Sequence, residues 1–178
     1  MRISFIGAGH ITELLINHLV SDVMFEADDL TISDPDGNRC AELKRRFGVS
    51  VAADNCEAVS RSDFTFVCVQ PHIVRKVIDE LKDTCLRGRI LISVSAGIST
   101  GLYRSELPDA VVARILPNPP SGSGEGAIPV TISGNADGEQ VESIMKLVGL
   151  FGKSFIVPED KIDIFTSLTT VSYTHLRA

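Results

Sequence analysis

Hydrophobic positions along the chain alternate between short continuous runs and segments of helical spacing. Five runs rich in Val, Ile, Leu and Phe predict strands, and they cover residues 2–6, 29–32, 64–69, 89–94 and 110–116. In three of the intervening segments the apolar residues recur at helical spacing, over residues 11–19, 73–81 and 141–148. Strands that alternate with helices predict an α/β fold with a mostly parallel sheet and helices on both faces.

Residues 117–126 follow neither pattern. Their sequence, Pro-Asn-Pro-Pro-Ser-Gly-Ser-Gly-Glu-Gly, has too few apolar residues to pack and too much Pro and Gly to form a helix. We therefore expect a loop. The 178 residues suffice for one full core and are too few for two ordinary domains, so one domain with a fragment of a further one is predicted.

Net charge and the length of the apolar runs argue against two classes of partner. The chain has 17 Lys and Arg against 23 Asp and Glu, a net charge of -6, and lacks the basic stripe that nucleic-acid binding needs. Its apolar runs are far shorter than the roughly 20 residues of a membrane-spanning helix, and no secretion signal precedes the first strand. The four cysteines lack the paired spacings of metal sites. We expect a soluble, cytoplasmic protein that binds no nucleic acid, membrane or metal.

The main chemical signal lies where the first strand ends. Residues 7–12 read Gly-Ala-Gly-His-Ile-Thr and lead into an amphipathic helix. Here Gly7 permits a tight turn, and Gly9 lets a pyrophosphate approach the backbone at the positive end of the helix. The motif predicts dinucleotide binding on a Rossmann-type, doubly wound sheet, and the alternative is a turn that merely needs glycines. Thr12 stands where the fingerprint has Gly or Ala, and His10 is interpreted as a loop residue whose backbone faces the phosphates.

The dinucleotide fingerprint also expects an acidic residue after the second strand. Asp34 is placed there, 22 residues after Thr12, which is close to the expected spacing of about 20. Its carboxylate can accept hydrogen bonds from a ribose diol. Alternatively, Asp34 and Pro35 only form a turn. Arg39 and the basic run 44–46 either steer a 2′-phosphate or remain ordinary solvated charges.

Nine short motifs, in order and at matching spacings, resemble those of the pyrroline-5-carboxylate reductase family. The resemblance extends to about Thr170. The motifs are Phe5-Ile-Gly-Ala-Gly9, Ser33-Asp-Pro35, Phe47-Gly-Val49, Asp54-Asn55, Ser62-Asp63, Val69-Gln-Pro71, Ser93-Val-Ser-Ala-Gly-Ile98, Leu116-Pro-Asn118 and Gly124-Glu-Gly126.

The resemblance implies a set of cofactor-binding residues, all of which fall at the carboxyl ends of predicted strands. It implies that Ser95, Pro71 and Asn118 lie nearest the nicotinamide. The implied residues are Gly7, Ala8, Gly9, His10, Ile11, Thr12, Asp34, Asn55, Val69, Gln70, Pro71, Val94, Ser95 and Ala96.

The chain departs from the family pattern at three places. Gln70 stands where the family usually has Lys, and residues 118–121 read Asn-Pro-Pro-Ser where Asn-Thr-Pro-Ala is usual. The end of the chain lacks the expected Ser-Gly-Ser-Gly-Pro stretch. We therefore expect a cofactor domain over residues 1–157, the start of a linker helix to an absent helical dimerisation domain over 158–170, and a non-native tail over 171–178.

The family reaction implied by this resemblance is reduction of the C=N bond of 1-pyrroline-5-carboxylate to L-proline by hydride from NAD(P)H. NAD is favoured slightly over NADP because of Asp34. No catalytic residue is assigned, since in the family the substrate groups belong to the absent domain, which also forms the homo-oligomer. Two alternatives remain open: another Rossmann reductase, such as a 3-hydroxyacid dehydrogenase relative, and a non-catalytic, cofactor-binding regulatory module.

Overall fold

Eight strands form one sheet at the centre of the molecule. In the computed structural model, which describes residues 1–23 and 25–169, the sheet has the strand order β3-β2-β1-β4-β5-β6-β7-β8. The strands are β1 (Ile3–Ile6), β2 (Leu30–Ser33), β3 (Ser50–Val51), β4 (Phe64–Val67), β5 (Ile90–Ser93), β6 (Val111–Ile115), β7 (Gly126–Ile132) and β8 (Gly152–Ile156).

The five predicted strands are confirmed as β1, β2, β4, β5 and β6, while β3, β7 and β8 were not predicted from the sequence. β3 has only two residues, too few to show an alternation of apolar and polar positions. In β7, Pro129 interrupts the sequence pattern that is typical of a strand. The prediction of a plain loop over residues 117–126 was wrong in part. A 3₁₀ helix, Pro119–Ser123, lies within it, because proline suits a first helical turn and Asn118 caps that turn.

In the part of the chain that the structure describes, seven α-helices surround the sheet, and the predicted ones over 11–19, 73–81 and 141–148 are confirmed. The short α3 and α5 were missed, since six and seven residues hardly show a helical period. The predicted tail, residues 171–178, lies outside the described part. The helices are α1 (His10–Ser21), α2 (Gly37–Phe47), α3 (Asn55–Ser60), α4 (Pro71–Leu81), α5 (Thr100–Glu106), α6 (Gly138–Gly149) and α7 (Glu159–Thr169); a further 3₁₀ turn is Ala27–Asp29.

The strand order reverses its direction of growth at β1. β2 and β3 lie on one side of β1, and β4, β5 and β6 follow on the other, all parallel. β7 then runs antiparallel to β6 and parallel to β8. The predicted doubly wound, mostly parallel sheet of the Rossmann type is therefore confirmed. In such sheets the crevice between β1 and β4, at the carboxyl ends of the strands, is the place where ligands bind.

Each face of the sheet has its own hydrophobic core, because neighbouring residues of a strand point to opposite faces. Phe5 belongs to the core with α1, α2 and α6, whereas Ile6 belongs to the core with α3, α4 and α5. On the first face, Phe5 stacks on Phe66 at 5.2 Å, and Phe66 meets the edge of Phe151 at 5.9 Å. These rings fix the floor beneath α1.

One arginine is buried in the sheet. Arg114 on β6 is 2% exposed, and its guanidinium pairs with Glu159 at 3.3 Å and with Asp163. Glu159 also accepts hydrogen bonds from the backbone and side chain of Thr100. Because both carboxylates belong to α7, this network attaches α7 to the sheet by charge, in addition to the apolar packing of the buried Ile162.

Candidate cofactor site

The turn that follows β1 requires glycine at its first position. Gly7 has φ of +97°, and a Cβ there would lie 2.8 Å from the carbonyl oxygen of Cys68 on the neighbouring segment. Gly7 N–H donates to the carbonyl of Ser33 at 2.8 Å, and Cys68 N–H donates to that of Ile6. The turn is therefore wedged between the ends of β2 and β4, at the reversal point of the sheet.

Helix α1 begins with an open backbone. Gly9 is its N-cap, no side chain caps the helix, and a Cβ at Gly9 would meet nothing within 4 Å. The uncapped N–H groups and the helix dipole favour an anion at this end. An open glycine and uncapped donors beside a helix axis fit the pyrophosphate of a dinucleotide.

The side chain of Thr12 holds this turn by a hydrogen bond. Its buried hydroxyl donates to the carbonyl of Gly7 at 2.5 Å. This bond keeps the Gly7 carbonyl turned away from the open side of the loop. Thr12 thus occupies the position of the usual small residue without loosening the helix, because its hydroxyl has a partner inside the turn.

Asp34 forms the turn that was one of its two predicted roles, and it also contacts the glycine loop. Its Oδ1 accepts from the backbone N–H of Asp36 at 2.8 Å, which is turn formation. Its Oδ2 accepts from Ala8 N–H, in the glycine loop, at 2.7 Å. A carboxylate has about four acceptor positions, so each oxygen can still accept from a ribose hydroxyl.

Asp34 also lines a cavity of about 240 Å³ together with Gly7, Asn55 and Val69. Asn55 is fixed at both ends of its amide: the Ser33 hydroxyl donates to Oδ1 at 2.8 Å, and Nδ2 donates to Glu80 at 2.6 Å. The structure thus brings four of the predicted site residues together around one cavity, at the carboxyl edge of β1 and β2.

Sequence reasoning missed the α4 side of this cavity. Ile73, Lys76, Val77 and Glu80 line it. Their spacing of three and four residues places them on one helix face, a signal that was available but was read only as core packing. Lys76 adds a cation, and Glu80 adds an acceptor beside Asn55.

A second group of predicted residues lies at the ends of β4 and β5. The buried Ser95 hydroxyl donates to the carbonyl of Val69 at 2.7 Å, which ties the two strand-to-helix turns together. Gln70 is the N-cap of α4 and Pro71 its first residue, again without a side-chain cap. The remaining predicted residues of this edge, Val94 and Ala96, are half-buried and exposed.

His10 lies apart from the first cavity. With Asn17, Arg46 and Pro119 it lines a separate cleft of about 360 Å³ between α1 and the 3₁₀ helix at Pro119–Ser123. Asn118, placed nearest the nicotinamide by resemblance, accepts a hydrogen bond at its amide oxygen from Ser121 at 3.0 Å. Neither residue lines the cavity that Asp34 and Asn55 form.

Two groups at this edge, on the half-buried Cys68 and the buried Tyr103, have raised pKa values. Burial raises the pKa of the Cys68 thiol to about 12, although a hydrogen bond with Thr12 opposes the shift. Burial likewise raises the pKa of Tyr103 to about 12, against its hydrogen bond to Ser93. Both are protonated at neutral pH, so neither acts as a nucleophile or base.

Among residues 1–23 and 25–169, no cluster of His, Cys, Asp and Glu has the arrangement of a metal site. No helix in the same ranges is both long enough and apolar enough to cross a membrane. The chemistry of the site is therefore described by its glycines, amides and carboxylates.

The known proteins that the chain resembles include several pyrroline-5-carboxylate reductases. One from Corynebacterium melassecola is 30% identical over 178 residues, covering 98% of this chain and 66% of its own. The structure of another, from Coxiella burnetii, superposes with a TM-score of 0.87 at 23% identity, over 98% of this chain and 66% of its own. A Plasmodium falciparum pyrroline carboxylate reductase with NADP bound superposes with a TM-score of 0.83 at 19% identity, over 95% and 62%.

The chain spans 54% to 66% of the length of the curated relatives that it matches. A family model described as NADP oxidoreductase, coenzyme F420-dependent, matches residues 2–97, which is more than half of the chain. The matched range contains the glycine turn, Asp34, Asn55 and the Val69–Ser95 contact. The chain therefore belongs to this NADP oxidoreductase family, and its sequence is similar to those of pyrroline-5-carboxylate reductases.

Proposed function

We propose that the chain is the dinucleotide-binding part of a reductase that converts 1-pyrroline-5-carboxylate to L-proline. In that reaction a hydride moves from the nicotinamide C4 to the carbon of the C=N bond, and the imine nitrogen gains a proton. The cofactor supplies the hydride and leaves oxidised. The described residues contribute binding and orientation, and they exclude water from the floor of the site.

The observation that carries the proposal is the open start of α1 at the reversal point of the sheet. There the uncapped N–H groups, Gly9 and the strained Gly7 turn lie within one loop, directly beside the carboxylate of Asp34. A phosphate bridge fits the open backbone, and a ribose diol fits the free acceptor positions of Asp34.

The adenosine half is assigned to the cavity lined by Asp34, Asn55 and α4. Glu80 and the amide of Asn55 supply polar contacts, and Ile73 and Val77 supply an apolar wall. The nicotinamide half is assigned to the ends of β4 and β5, where the Ser95–Val69 hydrogen bond holds the two turns at a fixed separation.

Calorimetric titration with NADH tests the binding step. We expect the chain to bind NADH and Gly9→Val to weaken binding at least about tenfold, because a branched side chain would occupy the space of the pyrophosphate. We expect the variant to fold, since nothing lies within 4 Å of the position of the added Cβ. Equal affinities of the two proteins would show that the loop does not hold the dinucleotide.

Turnover is expected to need more than these residues. The chain spans at most 66% of the relatives' length, and the proposed substrate groups and subunit contacts of the homo-oligomer are assigned to the remainder. We expect no measurable oxidation of NADH by the 178-residue chain in the presence of pyrroline-5-carboxylate. Steady loss of the reduced-cofactor absorbance in the purified chain would contradict this assignment.

NAD(H) is the proposed cofactor, since the Asp34 carboxylate lies beside the glycine loop and we assign the ribose to that position. A carboxylate about 4 Å from a 2′-phosphate is repelled by roughly 4 kcal/mol per unit charge before screening, and a remainder of about 1.4 kcal/mol is tenfold in affinity. Asp34→Ser should shift the ratio of NADH to NADPH affinity toward NADPH. If the wild-type chain bound NADPH more tightly and the variant kept the same ratio, Asp34 would have only its turn-forming role.

A further inference from the structure

We propose that Glu13 is a second specificity-determining residue, which disfavours a 2′-phosphorylated dinucleotide by holding the guanidinium of Arg39 in an ion pair. This inference rests on the proposed function of the loop as a dinucleotide site. It concerns a residue on α1 that belongs to no cofactor motif and does not line the cavity around Asp34.

Arg39 is placed where a 2′-phosphate would be recognised. It lies in the first turn of α2, and its Nε donates to the carbonyl of Ala8 at 2.8 Å. Ala8 N–H in turn donates to Asp34, so the guanidinium and the carboxylate flank the same residue of the glycine loop. Arginine at this flank of the ribose is a common means of binding a 2′-phosphate, because its planar fork matches phosphate oxygens.

The donors of Arg39 are nevertheless already engaged. One terminal nitrogen pairs with Glu13, the other pairs with Glu42 at 2.7 Å, and Nε is held by the Ala8 carbonyl. The hydrogen bond from Arg39 holds the pKa of the Glu13 carboxyl below its ordinary value, so Glu13 is charged at neutral pH. A 2′-phosphate would have to draw Arg39 out of this pair.

Glu13 is better suited than Glu42 to hold Arg39 in an ion pair. It is half-buried between α1 and α2, and its second oxygen pairs with Arg46, so it stays in place when Arg39 moves. Glu42 is more exposed, and its pair with Arg39 is screened by water. Together the carboxylates of Asp34, Asp36, Glu13 and Glu42 outnumber the guanidinium groups of Arg39 and Arg46, which leaves this flank with an excess of two negative charges against an incoming dianionic phosphate.

The alternative is that Glu13 only clamps α1 to α2. Glu13→Gln separates the two, because glutamine keeps an acceptor for Arg39 and removes the charge. Titration of NADH and NADPH into the chain should show the NADPH-to-NADH affinity ratio rising about threefold to tenfold in this variant. Adding Arg39→Gln to Glu13→Gln should cancel the rise, since the freed guanidinium is its cause.

Glu142→Gln, at an exposed position of α6, is the matched control, because it changes the net charge equally and far from the loop. An unchanged ratio in Glu13→Gln, with both dinucleotides still bound, would overturn the inference and leave the proposed function intact. So would an equal rise of both affinities. If the wild-type chain bound neither dinucleotide, the proposed function and this inference would be overturned together.

Discussion

Helices α1 and α6 are both twelve residues long, and they begin in opposite ways. At the start of α6, Asp137 accepts from the N–H of Gln140, and the Gln140 side chain accepts from the N–H of Asp137. At the start of α1, Gly9 offers no side chain at all. The first N–H groups of α6 are thus capped by side chains of the helix itself. Those of α1, at the reversal point of the sheet, are left uncapped.

The other helices support this division. α2, α3 and α5 are capped by the side chains of Asp36, Asp54 and Ser99, whereas α4, which begins across the crevice from α1, is uncapped like α1. A cap is worth about 1 kcal/mol, so leaving two helices open lowers stability. The two open ends face the crevice between β1 and β4, and a ligand can supply there the acceptors that the chain withholds.

The largest expected effect concerns the backbone that leads into α1. Gly7→Ala should lower the free energy of unfolding by about 2–4 kcal/mol, because φ is positive and the added carbon would meet the Cys68 carbonyl. Gly138→Ala at the first residue of α6 is the control, since open space surrounds that position. Urea unfolding followed by circular dichroism measures both. A loss as large at Gly138 as at Gly7 would remove the distinction between the two helix starts.

Removing the cap of α6 should have a smaller effect. Asp137→Ala leaves the N–H of Gln140 without its partner at 2.8 Å, and we expect a loss of about 1 kcal/mol in unfolding free energy. The affinity for NADH should stay unchanged. A change in affinity comparable to that of Gly9→Val would show that α6 is part of the site.

The substitution with the smallest expected change in stability is also the sharpest test: it adds an N-cap side chain to α1. Gly9 has φ of -75° and extended ψ, which suits a capping serine. Gly9→Ser should stabilise the chain by a few tenths of a kcal/mol and weaken NADH binding about threefold to tenfold, because the hydroxyl competes for the same N–H groups. Tighter binding together with higher stability would contradict the view that α1 is kept open for a ligand.

The sequence predicted the fully buried parallel strands well and the short or less buried strands poorly. β1, β2, β4, β5 and β6 are buried on both faces, so they read as continuous apolar runs. β7 and β8 lie at one end of the sheet, where polar residues and Pro129 break the pattern. Their pairing depends on contacts between Gly126 and Gly152, which local periodicity does not contain.

For the site, the sequence predicted which residues belong to the motifs, but it did not predict their hydrogen-bond and ion-pair partners. The glycine turn, Asp34 and Asn55 follow from their places after strands. The pairing of Asp34 with Ala8 joins residues 26 positions apart, and that of Glu13 with Arg39 joins helices whose separation depends on core packing. The resemblance placed His10 in the glycine loop, but only the three-dimensional structure shows that its side chain lines a cleft separate from the cavity of Asp34 and Asn55.

The hydrogen bond from Ala8 to Asp34 has a consequence for the order of assembly. During folding, the glycine loop can reach its native shape only after β2 has docked beside β1, since Gly7 and Ala8 are both held by residues at the end of β2. A measurement of dinucleotide affinity would therefore also report whether β2 is docked beside β1. A substitution that loosens β2 at its buried first residue, Leu30, would lower affinity from a distance, without touching any group that meets the ligand.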